Sequence, residues 1–156
     1  YRTAIFIPTL LSFVIVGFIW KLIRADATSF AELSDPRTTA EYALCLYAGP
    51  SGNLVMEMAV PSGPAWAGLG ADKGFTYGDP PAIADGAQKL ILKSSTSAKA
   101  KLIVRGRGVN LGDPLSNYAL PLPVTAQLSN LDSGICWEDT YATVLRNTAS
   151  SFKAKR

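Results

Sequence analysis

The sequence predicts a mainly β protein: an antiparallel β-sandwich of about seven strands, preceded by one long hydrophobic N-terminal α-helix. Three observations predict it. Residues 3–20 carry no charge. From about residue 41 the apolar residues recur with a period of two. Clusters of Gly, Pro, Asn and Asp break those runs at short intervals, the punctuation of hairpins and sandwich loops. The organisation read from this is a hydrophobic helix over 1–25, a tether over 26–40 and a β-sandwich domain over 41–156.

Residues 3–20 as a helix would run about 27 Å, close to the hydrocarbon thickness of a bilayer. Ile5, Phe6, Leu10, Leu11, Phe13, Val14, Val16, Phe18 and Trp20 leave no polar side to meet water. The segment is therefore read as a membrane anchor or as the core of a filament. Its expected partners are the lipid bilayer, copies of this chain, or other subunits of a membrane complex. Pro8 and Gly17 weaken the helical ladder, which a bilayer or bundle tolerates. A second reading is a cleaved secretory signal, since Ala25-Asp26-Ala27 fits a small-x-small cleavage pattern. Against it, Lys21 and Arg24 put cations where such signals are neutral, and the run exceeds the usual apolar length of about 7–15 residues. Retention is the expectation.

Residues 26–37 read as a tether with a helical turn from Thr28 to Leu33, ended by Asp35-Pro36. Residues 41–48 and 54–60 form the first hairpin around the turn 49–53, with Glu57 on the wetter face. Residues 61–74 are a Gly- and Pro-rich loop carrying Trp66, which folds back as a lid on the core or, if exposed, serves recognition. A short strand is expected at 75–77. Residues 87–93 and 98–107 are the clearest alternating pair. In the second, Ala100, Leu102, Val104 and Gly106 face one way, and Lys99, Lys101, Ile103, Arg105 and Arg107 the other. Strands at 124–129 and 135–144 follow a proline-rich crossing loop, and the basic tail adds an edge strand around Phe152.

The net charge of +3 is carried by Arg2, Lys21 and Arg24; from residue 25 onward twelve cations balance twelve anions. That balance disfavours a dedicated nucleic-acid binder. The stretch 88–107 nevertheless holds six cations and no acid, so Lys99, Lys101, Arg105 and Arg107, with Trp66, are the candidate surface contact. The plain alternative is a solvated face or a lysine-guarded edge.

The chain has no histidine, which removes the commonest general base and most ordinary zinc sites. No nucleotide loop, dinucleotide fingerprint, metal motif or nucleophile elbow is present, and the acids are not spaced as a calcium loop. The expectation is a protein that is not an enzyme and has no catalytic residue, metal or cofactor. Cys45 and Cys136 are the only cysteines. In a cytosolic protein they would be buried thiols; behind an export segment a disulfide is expected.

A chain opening on an apolar helix resembles type IV pilins and related filament subunits, although the usual early acid is missing around Ile5. Cys45-Leu46-Tyr47, the Trp66 loop, Lys73 to Asp79, Asp85-Gly86, Ser97 to Lys101, Val104 to Gly108, Pro123 to Leu128 and Cys136-Trp137-Glu138 follow one another in this order. That ordered set resembles an uncharacterised β-rich module found near the C-termini of exported bacterial proteins. Such modules often carry a cysteine before the loop tryptophan, where this chain has Ala65. The resemblance implies export and a β fold. The expected role is a non-catalytic structural subunit at the cell surface or in the periplasm. The alternative is an exported soluble binding module.

Overall fold

The computed structural model describes residues 17–23, 28–97, 99–112 and 119–155. Among these, eleven strands form: β1 (Gly17–Ile23), β2 (Tyr42–Ala48), β3 (Asn53–Val60), β4 (Trp66–Gly68), β5 (Gly74–Gly78), β6 (Ala87–Lys93), β7 (Lys101–Arg107), β8 (Val124–Asn130), β9 (Cys136–Tyr141), β10 (Arg146–Thr148) and β11 (Ser151–Lys155). The protein is mainly β, as expected. The strands make a seven-stranded sheet in the order β10-β11-β1-β7-β6-β5-β4 and a four-stranded sheet in the order β3-β2-β8-β9. Neighbours pair antiparallel except β1 and β11, which run parallel. Two mainly antiparallel sheets sharing one buried cluster fit the expected sandwich, with more strands than the seven foreseen.

The first correction falls on the N-terminal segment. Gly17–Ile23, expected in the helix, is a strand: it pairs Gly17 with Arg107 and Ile23 with Lys101 on one side, and Gly17 with Ser151 on the other. The helix positions Phe18 and Trp20 thus belong to β1, whereas Ile5, Phe6, Leu10, Leu11, Phe13, Val14 and Val16 lie outside the described residues. An uncharged run has no polar positions to reveal its period, so a buried central strand and a helix look alike in it. In register, Phe18, Trp20 and Leu22 stand beside Gly106, Val104 and Leu102, all buried positions of β7. Among the described residues no helix is long and apolar enough to cross a membrane.

The expected tether is also built into the core. Leu33 and Ala40 are fully buried, and Thr28 forms a bridge with Ser95. The helical turn is a short 3-10 segment, Ala31–Leu33, closed by reciprocal bonds between Ser29 and Glu32. Asn130 locks this segment to the β8–β9 turn. Its amide donates to the Glu32 carbonyl at 3.0 Å and Ser34 Oγ at 3.2 Å, and its oxygen accepts from the Asp132 amide at 2.9 Å.

The core lies between the sheets and is built by strict alternation. In β2, Tyr42, Leu44, Leu46 and Ala48 are buried; in β8, Val124, Ala126, Leu128 and Asn130 are. Each fully buried aliphatic side chain contributes about 1.5–3 kcal/mol. Trp66 sits in the middle, its ring 5.5 Å from Tyr42 and 5.2 Å from Tyr77, with Nε1 donating to the Pro61 carbonyl at 2.8 Å. It is the lid over the core, 4% exposed, and not a surface contact. Burial pushes the Tyr42 hydroxyl far above the ordinary tyrosine range, helped by the nearby Asp132; the phenol donates to the Leu33 carbonyl.

Candidate anion-binding face

The charged residues of the two sheets are sorted by sign. Every charged residue in the seven strands of the larger sheet is a lysine or arginine, and every charged residue in the four strands of the smaller one is an acid. The balance of twelve against twelve therefore hides a sorting of charge between the strands of the two sheets. On β6 and β7, Lys89, Lys93, Lys101, Arg105 and Arg107 are exposed, with Ile91 and Ile103 half-buried between them. On β10 and β11, Arg146, Lys153 and Lys155 are exposed.

Pairing brings these two groups into one surface. Lys89 stands opposite Arg105, Arg105 opposite Ile19, Ile19 opposite Lys153, and Lys153 opposite Arg146. Four cations thus occupy one cross-strand row over five strands, spanning about 19 Å at the usual spacing between strands. Directly opposed like charges cost about 0.2–1 kcal/mol per pair. No acid in these strands offsets them. A lysine guard belongs on edge strands. Here β6 and β7 are interior, so edge protection does not account for their charges.

One end of this face is built by loops. The β5–β6 connection, residues 79–86, and the loop after β7 are held together there. Arg107 Nη2 donates to the Pro80 carbonyl at 3.0 Å, the Arg107 amide to the Gly86 carbonyl at 2.8 Å, and Asn110 Nδ2 to the Ala82 carbonyl at 3.3 Å. Gly86 takes φ +81°, and a side chain there would strike the Leu111 backbone, so only glycine lets the loops close so tightly. Asp79 and Asp85, the acids of the connection, accept from the backbone amides of Ile83 at 2.7 Å and Ala59 at 3.0 Å. Beside these loops a shallow groove of about 440 Å³ opens on Lys89, Arg105, Gln88, Thr76 and Pro80.

Of the sequence-selected contacts, Lys101, Arg105 and Arg107 lie on this face, Lys99 is exposed in the loop before β7, and Trp66 is buried beneath the sheet. Sequence reasoning missed Arg146, Lys153 and Lys155. The basic tail was visible, but nothing local indicated that β1 would pair with both β7 and β11.

The outer face of the smaller sheet is chemically different. Cys45, Glu57, Tyr47, Gln127, Glu138 and Cys136 share it, with Gln127 donating to Glu138. The expected disulfide is not formed; both cysteines are free thiols. Cys45 is on β2 and Cys136 on β9, and β8 runs between them. Two strand spacings and a two-residue offset in register put their Cα atoms roughly 12 Å apart, beyond the reach of about 7 Å that a bridge allows. Partial burial raises the Cys45 thiol, and the Glu57 carboxylate adds to the shift. Among the described residues no group of three or more Cys, Asp or Glu converges to hold a metal ion. The chain matches no family model, no curated protein and no solved structure.

Proposed function

We propose that this chain is a non-catalytic structural subunit that works through a surface, presenting the outer face of its larger sheet to an anionic partner. The observation that carries the reading is the sorting of charge. The row of Lys89, Arg105, Lys153 and Arg146 sits on strands where those residues repel one another, which a partner with negative charge would relieve. The sequence of residues 3–16 supports placement at the cell surface or periplasm, held in a membrane complex or filament. The position of β1 supports retention of the segment. Cleavage near Ala27 would remove the strand between β7 and β11 and divide the sheet.

Retention on an immobilised polyphosphate column tests the surface. The double variant Lys101→Glu/Arg105→Glu is expected to elute at much lower salt than the parent chain. Unchanged elution overturns the proposal. Sequencing the N-terminus of the protein from its source tests retention, and a start after Ile23 overturns it.

A further inference from the structure

We propose that the loop end of the larger sheet docks on an anionic lipid bilayer, with Ile83 and Val109 entering the headgroup boundary and the basic row meeting the lipid phosphates. This rests on the reading of the basic face as a contact surface and names its partner.

Four observations converge on this end. Ile83 is 69% exposed and Val109 66%, and they lie on the two loops bound to each other by the Arg107 and Asn110 hydrogen bonds. A scattered exposed aliphatic is ordinary; two on neighbouring loops at one tip form an apolar point. Directly behind that tip come Arg107 and then the row of Lys89, Arg105, Lys153 and Arg146, one pleat repeat or about 7 Å further along the strands. Arg107, next to the tip, lies within the Debye length of about 8–10 Å of a charged surface that the tip touches, and the four cations of the row behind it feel a more screened field. The two acids of the β5–β6 connection, Asp79 and Asp85, keep their charge while accepting from backbone amides, and the five cations outnumber them. Finally, β1 begins at this end, where Gly17 pairs with Arg107, and in the sequence it follows the uncharged run of residues 3–16. Apolar insertion and a polybasic patch together are the two signals that stable attachment to a membrane requires.

A single-stranded nucleic acid fits less well, because it binds by stacking bases on exposed aromatic rings. The aromatic residues of β4, β5 and β11, which are Trp66, Phe75, Tyr77 and Phe152, are all buried.

Flotation of the full chain with phosphatidylcholine vesicles, with and without phosphatidylglycerol, tests the proposal, with soluble polyphosphate binding measured alongside. The parent chain is expected to partition preferentially to the phosphatidylglycerol vesicles. Lys89→Glu/Arg105→Glu should lower that partitioning at least about tenfold, as expected for charges near an anionic surface. Ile83→Ser/Val109→Ser should lower it about tenfold by removing apolar insertion, with unchanged polyphosphate binding and unchanged circular dichroism. Equal binding to both vesicle types, or parent-like flotation of the Ser variant, overturns the proposal. Polyphosphate binding without vesicle binding also overturns the lipid partner, while leaving the basic face as a contact surface. Polyphosphate binding that survives Lys89→Glu/Arg105→Glu overturns that underlying reading instead.

Discussion

Arg105→Glu should weaken binding and strengthen the fold, a combination that a purely structural arginine would not give. Arg105 stands opposite Lys89 on β6, and across Ile19 from Lys153. The Arg105–Lys89 contact costs about 0.2–1 kcal/mol, and an opposite-charge pair at the same spacing contributes a similar amount of the other sign. The swing is therefore about 0.4–2 kcal/mol, less a few tenths for the poorer strand propensity of Glu. For a domain of this size 1 kcal/mol moves Tm by about 2–4 °C. Thermal melts by circular dichroism at low salt should show the variant melting about 2–4 °C higher. Because the effect is between exposed charges, it should fall sharply at about 1 M salt, where the Debye length is about 3 Å. A lower Tm at both salt concentrations would refute the claim that the row stores repulsion, and with it the principal support for a contact surface.

Other perturbations probe the core and the thiols. Trp66→Ala removes the ring between Tyr42 and Tyr77 and leaves the Pro61 carbonyl without its donor, and should cost about 3–5 kcal/mol in a urea titration. Gly74→Ala should cost about 3 kcal/mol or more, since φ there is +129° and the added carbon would lie 1.9 Å from the Leu92 carbonyl oxygen. Tyr42 has a pKa raised by burial, so the folded state prefers the protonated phenol. Its contribution is complete below the ordinary value of about 10 and is lost as pH rises above it, so Tyr42→Phe should flatten the alkaline fall in stability. Thiol titration of the native chain should find Cys136 reacting first, with Cys45 slower and rising with pH later than an ordinary thiol, and denaturation should expose both. A single unreactive pair would show a bridge after all.

Much of the β domain was legible because its strands alternate cleanly. Both hairpins, 41–60 and 87–107, are present, and Lys101, Arg105 and Arg107 point outward as their spacing required. Three things were hidden, each by a non-local cause. The apolar run before Lys21 carries no polar beat, so a strand inside a sheet read as a helix. The distance between Cys45 and Cys136 depends on which strand lies between β2 and β9, and spacing along the chain does not encode that. The basic row joins residues of β6, β7, β10 and β11, and only the parallel pairing of β1 with β11 makes them neighbours. Charge balance summed along the sequence concealed the sorting of lysine and arginine onto the strands of one sheet.

That parallel pairing also governs how the protein is made. A strand from early in the sequence waits for one from late in it before the centre of the larger sheet is complete, and β10 joins only through β11. During synthesis the β2–β3 and β6–β7 hairpins can close as they emerge, while β11 has nowhere to dock until β1 is already in place beside β7. Assembly is dominated by contacts distant in sequence, which slows folding and leaves open strand edges to a nascent chain for longer. A tag or a truncation after β9 would therefore disturb the seven-stranded sheet while sparing the four-stranded one.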